Sequence, residues 1–200
     1  VRALRAVGIP EPEERLGQYP HQFSGGMLQR IMIAAAMIAG PELLIADEPT
    51  TALDVTVQAQ VVDLLLRIRQ ERGLTILFIT HDLSLVAEVA DRVAIMYAGR
   101  IVEIAPVEEF FSGPRHPYSE GLLAAIPPVD VSVQRLRAIE GVVPRLGELP
   151  AGCAFAPRCR RRMERCGGEL PQMVRAGHAF VACHLSEESE NAPAGSHRPQ

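Results

Sequence analysis

LLIADEPT, residues 43–50, places two adjacent carboxylates, Asp47 and Glu48, directly after a short apolar run. A run of this length is typical of a buried strand in a parallel sheet, and ligands of open α/β sheets bind at the carboxyl ends of the strands. One carboxylate at that edge can hold Mg²⁺, while its neighbour orients or deprotonates an attacking water. A strand end capped by acidic residues gives the same pattern, so this stretch alone leaves both interpretations open.

A second apolar run, TILFIT at residues 75–80, ends at His81. The helix predicted between the two runs begins at Asp54, and this strand–helix–strand order predicts an α/β fold with a parallel sheet. Because both strands end at the same edge of the sheet, His81 is expected near Asp47 and Glu48, within reach of a phosphate or a water held by Glu48. A lone histidine is more often structural, but its place at this edge favours the functional interpretation.

The stretch Ser24-Gly25-Gly26-Met27-Leu28-Gln29 stands at the start of a helix predicted to run to about residue 39. Glycines let the backbone approach a ligand closely, and the free N–H groups and dipole of a helix N-terminus favour an anion such as phosphate. A simple N-cap by Ser24 explains the same residues without any ligand. The stretch is therefore a candidate anion site with a structural alternative.

The composition argues against several classes of protein. The chain has 200 residues, a net charge of −4 and no lysine, because all 20 of its basic residues are arginine. We therefore expect no general basic surface for nucleic acid. A phosphate-binding loop of the form G-x-x-x-x-G-K-[ST] requires a lysine and does not occur. The longest apolar run, residues 31–40, is about half the ~20 residues that a membrane-spanning helix needs, so a soluble cytoplasmic chain is expected.

The order and spacing of these motifs resemble the ABC transporter ATPase family over about residues 1–112. The stretch beginning at Ser24 is similar to the family signature, LLIADEP to its Walker B strand, TALD (51–54) to its D-loop and ITHD (79–82) to its switch-histidine loop. The resemblance implies the C-terminal part of an ABC ATPase, with a P-loop NTPase-like parallel sheet, helices and ATP bound between two subunits. A chain that begins at Val1 inside a helical pattern is then expected to be a fragment without Walker A.

Carried over residue by residue, the resemblance implies a role for each motif. Asp47 would help to hold the Mg²⁺ of ATP, Glu48 would be the catalytic base, and His81 would contact the γ-phosphate. The residues implied to face a partner subunit's ATP, or to act across the subunit interface, are Ser24, Gly25, Gly26, Gln29 and the D-loop residue Asp54. Without a Walker A loop no phosphate is positioned for the carboxylates to act on, so this chain alone is predicted not to hydrolyse ATP.

Three further stretches resemble the oligopeptide/dipeptide importer branch of that family: RLGQYPHQ (15–22), YAGRIVE (97–103) and HPYS (116–119). By pattern alone, the His-Pro-Tyr stretch is only a turn that enters a helix. The resemblance implies a peripheral ATPase subunit at the cytoplasmic face of the membrane. Its implied partners are a second ABC ATPase subunit, transmembrane permease subunits and, indirectly, an extracytoplasmic solute-binding protein.

Four cysteines lie in the C-terminal quarter of the chain, at Cys153, Cys159, Cys166 and Cys183. In a chain with no secretion signal, such a group indicates a metal site before disulfides. Four thiolates can ligate a [4Fe–4S] cluster or Zn²⁺, and His178 or His184 could replace a cysteine around zinc. The spacing does not choose between them, and four reduced thiols are the remaining alternative. The branch resemblance favours the [4Fe–4S] cluster.

These features divide the chain into four segments. Residues 1–112 would be the C-terminal part of an ABC ATPase domain, 113–150 the His-Pro-Tyr extension and a linker, 151–185 a small Cys-rich extension, and 186–200 a disordered tail. The expected function is ATP binding and hydrolysis that energises import of oligopeptides or dipeptides. Two alternatives stay open: a non-catalytic module that lends its signature face or metal-binding tail to a partner, and a non-transport ABC ATPase.

Overall fold

The computed structural model describes residues 1–126 and 138–191, and the chain divides into two compact units, Val1–Leu85 and Val86–Gln200. The elements of the first unit are α1 (Arg2–Ala6), α2 (Pro12–Arg15), a 3-10 turn (Pro20–Gln22), α3 (Gly25–Met37), β1 (Leu43–Asp47), α4 (Val55–Arg72), β2 (Thr75–Ile79) and the start of α5 (Leu83–Val89). The two units do not correspond one to one with the four predicted segments, whose boundaries remain predictions.

The first unit contains the parallel strand pair that the sequence predicts. β1 lies beside β2 in parallel, with Leu43 opposite Thr75 and Asp47 opposite Ile79. The crossover between them is the 18-residue helix α4, which ends at Gly73 in the left-handed conformation (φ +62°); such a terminus favours glycine. A single apolar core joins these elements and contains Val7, Ile9, Ile33, Ala34, Met37, Leu44, Val61, Leu64, Leu65, Ile68 and Leu74.

Within the part of the chain that the structure describes, the two strands are covered on one face only, whereas the sequence predicts that they are buried. Leu44 of β1 belongs to the core, and Ile76 and Phe78 of β2 pack against it. On the opposite face Ile45 is 60% exposed and Leu77 is 50% exposed. The reason is that α3 and α4 contribute to the core on a single side of the strand pair, and alternate side chains of a strand point to opposite faces.

The second unit is built on an antiparallel sheet with the strand order β3-β4-β6-β5. Its elements are β3 (Arg92–Tyr97), β4 (Arg100–Pro106), α6 (Val107–Ser112), α7 (Pro117–Ala124), three 3-10 turns (Leu146–Glu148, Ala156–Arg158, Glu164–Gly167), β5 (Val174–Ala176), β6 (Ala179–Val181) and α8 (His184–Asn191). The hairpin predicted between β3 and β4 is confirmed. The pairing of β4 with β6, which places Glu103 opposite Val181, joins the Cys-rich segment to this sheet.

The predicted disordered tail is wrong for residues 186–191, which continue α8. This helix is anchored because its first residue, His184, is buried and its Nδ1 lies 2.8 Å from Glu187 Oε2, while the N–H of Gln172 donates to Glu187 Oε1 at 3.0 Å. Residues 192–200 of the predicted tail and 127–137 of the predicted linker lie outside the described residues. Within the described ranges, no helix is both long and apolar enough to cross a membrane.

Candidate functional site

Glu48 and His81 meet where β1 and β2 end. The N–H of Glu48 donates to the carbonyl of Ile79 at 2.9 Å, which continues the pairing of the strands past Asp47. His81 follows β2 by two residues, and its Nδ1 lies 2.9 Å from Glu48 Oε1. Asp47, the exposed last residue of β1, directly precedes this pair. The sheet edge thus brings together the two carboxylates and the histidine that the sequence predicts there.

Thr51 supplies a third contact that sequence reasoning missed. Its N–H donates to the carbonyl of Glu48 at 3.1 Å, which closes a turn, and its hydroxyl Oγ1 donates to Glu48 Oε2 at 2.5 Å. Glu48 itself has the left-handed φ of +47°, which is uncommon outside glycine and is found where the surroundings impose it, often at functional sites. Both carboxylate oxygens of Glu48 are therefore held in place.

These contacts shift the pKa values of the pair. Hydrogen bonds from Thr51 and then from His81 lower the pKa of Glu48. The hydrogen bond to Glu48 raises the pKa of His81. The histidine side chain is 81% exposed and the glutamate side chain 37% exposed, so both groups can be reached from solvent. The arrangement favours an ionised carboxylate beside a histidine that readily binds a proton.

The start of α3 is explained first by capping and packing. Ser24 Oγ accepts the N–H of Met27 at 3.3 Å. A Cβ on Gly26 would lie 2.5 Å from Val57 Cγ1 of α4, so only glycine fits there, whereas a Cβ on Gly25 would have its nearest contact, Leu53 Cδ2, at 3.5 Å. Ser24 and Gly25 are nevertheless exposed at the helix N-terminus, which leaves this end open to a ligand.

Asp54 and Gln29, the other two residues predicted to serve a partner subunit, lie in different surroundings from each other. Asp54 caps α4, because its Oδ1 accepts the N–H of Val57 at 2.9 Å. Val57 is also the residue that excludes a Cβ at Gly26, so the start of α4 and the start of α3 are in contact. Gln29 lies half-buried on α3, one turn after its start. The roles predicted for both residues toward a partner subunit remain predictions.

The four cysteines of the second unit line one pocket, together with His116, Phe155 and His184. The N–H of Cys153 donates to the carbonyl of Cys166 at 2.9 Å. This hydrogen bond joins the two ends of residues 153–166, which we call the cysteine loop. A Cβ on Gly152 would lie 2.5 Å from the carbonyl oxygen of Cys166 and 2.7 Å from that of Glu169, so this close approach requires glycine. The 3-10 turn after Phe155 returns the chain to Cys159.

All four thiols are free. Burial raises the pKa of the thiols of Cys153, Cys159 and Cys183, so these groups hold their protons at neutral pH unless an ion binds. In the two described ranges, no group of three or more His, Cys, Asp or Glu side chains is placed to hold a metal ion. The cysteines surround the pocket, and the expected metal site remains a prediction.

The histidines proposed as zinc ligands have other contacts. His184 lines the pocket, but its Nδ1 lies 2.8 Å from Glu187 Oε2 and its Nε2 lies 3.0 Å from the carbonyl oxygen of Glu169. His178 does not line this pocket and lies 2.5 Å from Glu109 Oε1 through Nδ1. His184 therefore cannot present a nitrogen to the pocket without first breaking a hydrogen bond, and His178 is not among the residues that line it.

Comparison with known proteins places these features in a family. The family described as "ABC transporter" matches residues 1–51, and the family described as "Oligopeptide/dipeptide transporter, C-terminal region" matches residues 102–166. The dipeptide transport ATP-binding protein DppD of Bacillus subtilis is 51% identical over 186 residues, which cover 92% of this chain and 56% of that protein. The chain belongs to the ABC transporter ATP-binding family. Its place is in the oligopeptide/dipeptide branch.

Other relatives agree with this assignment. The oligopeptide transport ATP-binding protein AppD of Bacillus subtilis is 50% identical over 190 residues, 94% of this chain and 58% of its own length. DppD of Escherichia coli is 51% identical over 191 residues, 95% of this chain and 58% of its own length. The chain spans about half the length of the curated relatives it matches: 53% of a putative peptide import ATP-binding protein of Brucella ovis and 58% of the Escherichia coli protein.

A solved structure, that of cbiO1 from Clostridium perfringens, is 35% identical in sequence to this chain and has a TM-score of 0.48. The match covers 56% of this chain and 43% of the cbiO1 chain. The family assignment rests on the sequence comparisons. The two matched ranges contain Ser24, Asp47, Glu48, His116 and the first three cysteines.

The sequence did not predict two candidate functional residues, Thr51 and His116. Thr51 stands three residues after Glu48, a spacing that a turn can close, but no pattern specifies that its hydroxyl bonds the carboxylate. His116 was noticed only as part of the His-Pro-Tyr stretch, and it proves to be buried against the cysteine pocket. Burial, and then the charge of Arg161, lowers the pKa of His116 to about 4, so its ring is neutral at physiological pH.

Proposed function

We propose that this chain is part of the ATP-binding and ATP-hydrolysing subunit that energises ABC-type import of oligopeptides or dipeptides. The observation that carries the proposal is the 2.9 Å contact between Glu48 Oε1 and His81 Nδ1, directly after Asp47 at the carboxyl edge of the paired strands. The peptide class is supported by the relatives named as dipeptide and oligopeptide transport ATP-binding proteins.

In this proposal the sheet edge performs the hydrolysis. Glu48 accepts a proton from the water that attacks the γ-phosphate, a role that needs an ionised carboxylate within hydrogen-bonding reach of the water. Glu48 is ionised at neutral pH, because its pKa is lowered from an ordinary value that already lies well below 7. His81, beside it, donates to the γ-phosphate. Asp47 would hold Mg²⁺, and the ion would offset the negative charge of the phosphates.

The other motifs would serve contacts between subunits. The exposed N-terminus of α3 offers backbone N–H groups to the phosphates of ATP bound by a second ABC ATPase subunit, through Ser24, Gly25 and Gly26, with Gln29 behind them. Asp54 would act across that interface in addition to capping α4. In this arrangement the subunit is peripheral, at the cytoplasmic face of the membrane, and binds transmembrane permease subunits that receive solute from an extracytoplasmic binding protein.

We further infer that these 200 residues do not hydrolyse ATP by themselves. They contain no lysine and hence no G-x-x-x-x-G-K-[ST] loop to position the phosphates. The test compares ATP hydrolysis by this chain with hydrolysis by a longer chain that begins upstream and contains such a loop. Only the longer chain is expected to turn over. Hydrolysis by the 200-residue chain unaided would show that the loop is dispensable and that the site assignment is wrong.

We also propose that Cys153, Cys159, Cys166 and Cys183 bind a [4Fe–4S] cluster, with Zn²⁺ as the alternative. The donor set fits a cluster because four thiols line one pocket. That pocket is also lined by His116, whose buried Nε2 has no hydrogen-bond partner among the described residues. The four thiolates would hold a [4Fe–4S] cluster, and the same side chains would be the ligands if the bound ion were Zn²⁺. The bound group would cross-link the loop.

Metal analysis of protein purified without oxygen tests this assignment. Four irons and four sulfides per chain, lost together in a Cys159→Ser variant, are expected for the cluster. One zinc per chain would support the alternative. Protein that binds neither, even after incubation with ferrous iron and sulfide, would show that the cysteines are reduced thiols.

A further inference from the structure

The His-Pro-Tyr turn is fixed in place by a buried carboxylate. Glu103 of β4 is 1% exposed, and it accepts the backbone N–H of Arg115 at 2.8 Å and that of His116 at 3.0 Å. The imidazole of His116 is itself 1% exposed, and its centroid lies 5.9 Å from that of Phe155, the aromatic residue between Cys153 and Cys159. The ring is therefore held firmly beside the cysteine loop.

The hydrogen bonds of the ring determine which nitrogen carries its hydrogen. His116 Nδ1 accepts the backbone N–H of Tyr118 at 3.0 Å. A nitrogen that accepts a hydrogen bond is unprotonated, so the hydrogen of the neutral ring is on Nε2. This Nε2–H group is buried and, among residues 1–126 and 138–191, it has no hydrogen-bond partner. A buried donor without an acceptor is unfavourable, which indicates that an acceptor is missing.

The pocket that the ring lines can supply the missing acceptor. That pocket is lined by the four cysteines, and three of its other residues, Pro117, Phe155 and Pro171, offer only apolar side chains. The remaining polar ring, that of His184, has both of its nitrogens engaged elsewhere. Anionic sulfur, as thiolate or as the sulfide of a cluster, is the acceptor that the lining can supply once an iron–sulfur group is bound.

We propose that His116 is a binding residue of the cysteine pocket, and that its Nε2–H donates a hydrogen bond to a sulfur atom of the bound cluster. This inference rests on the proposed [4Fe–4S] assignment. It gives the His-Pro-Tyr turn a chemical role: Glu103 and the Tyr118 N–H set the position and tautomer of the ring, and the ring delivers one N–H to the cluster.

The expected consequence is a change in the reduction potential of the cluster. Hydrogen bonds to cluster sulfurs help to set that potential, because an N–H donor stabilises the more negative, reduced form more strongly. Removing the donor should favour the oxidised form about tenfold. For a one-electron couple, a tenfold change in the equilibrium constant corresponds to a potential about 59 mV more negative.

The experiment measures the potential by redox titration of the reconstituted 200-residue chain, as wild type, His116→Phe and His116→Gln. His178→Phe is the matched control, because that histidine is exposed and does not line the pocket. His116→Phe should lower the potential, His116→Gln should restore part of it because its amide keeps an N–H donor, and the control should leave it unchanged. An unchanged potential in His116→Phe with full iron content overturns the proposal.

A second measurement uses the unaltered protein and so does not depend on how variants fold. Pulsed electron paramagnetic resonance of the reduced cluster in ¹⁵N-histidine-labelled wild-type chain should detect a coupled histidine nitrogen. Absence of any histidine coupling at an intact cluster refutes the role of His116. Absence of iron in the wild-type chain instead refutes the cluster assignment, and the two failures are therefore distinct.

Discussion

Replacing Gly26 by alanine tests whether the contact between α3 and α4 is as close as the structure has it. A Cβ at position 26 would lie 2.5 Å from Val57 Cγ1 and 3.8 Å from Val57 Cβ. Separations under 3 Å between carbon atoms are strongly repulsive, and the β-branched side chain of Val57 has little rotamer freedom in a helix with which to retreat. The helices must therefore move apart locally.

The net effect follows from two opposing terms. Overpacking costs about 1–3 kcal/mol, while alanine is favoured over glycine inside a helix by up to about 1 kcal/mol. We expect Gly26→Ala to lower the free energy of unfolding by about 1–2 kcal/mol, because position 26 lies in the first turn, where the helix preference is weaker.

Urea unfolding followed by circular dichroism measures this effect. Gly25→Ala is the matched control, because its new Cβ would meet its nearest neighbour, Leu53 Cδ2, at an ordinary 3.5 Å, and it should cause no loss. In a Val57→Ala background the clashing methyl group is gone, so Gly26→Ala should cause little further loss, a coupling that a double-mutant cycle detects. A Gly26→Ala protein as stable as wild type would refute the packing argument.

Three further predictions follow from single contacts. Asp54→Ala removes the N-cap of α4 and should cost about 1 kcal/mol in urea unfolding, while Asp54→Asn should cost little. His81, titrated by NMR, should have a pKa above its ordinary value that falls toward that value in Glu48→Gln; the stabilisation from the pair is complete below the ordinary histidine pKa and is lost as pH rises through the raised one. Glu103→Gln leaves one of two backbone N–H groups facing an amide NH₂, and should cost about 2 kcal/mol of stability.

The elements of the first unit could be predicted because their signals are local. The apolar runs at β1 and β2, the cap at Asp54 and the glycine after α4 each specify a boundary within the sequence itself. The exposure of Ile45 and Leu77 could not be predicted, because an apolar run predicts burial but does not tell which face a neighbouring element covers. The strands β5 and β6 were missed because each has only three residues, too few for periodicity to appear.

The candidate site was predictable where parallel strands bring residues to one edge. Glu48 and His81 are 33 positions apart, yet strand topology alone predicts that they meet, and their side chains lie 2.9 Å apart. The roles of Thr51 and His116 could not be predicted, because a side-chain hydrogen bond and the burial of a ring nitrogen depend on tertiary structure that no local pattern encodes. The grouping of the four cysteines near the C-terminus indicated a metal site; the cysteines line one pocket, and the metal site stays a prediction.

The most direct test of the account is the steady-state rate of ATP hydrolysis by the longer chain that contains an upstream phosphate-binding loop. Glu48→Gln keeps the size of the side chain but removes the base, and is compared with Glu42→Gln, an exposed glutamate at the opposite end of β1. We predict that Glu48→Gln lowers the rate by about 10²-fold or more, while Glu42→Gln retains it. A Glu48→Gln enzyme that hydrolyses ATP at the wild-type rate would contradict the assignment of this sheet edge as the catalytic site.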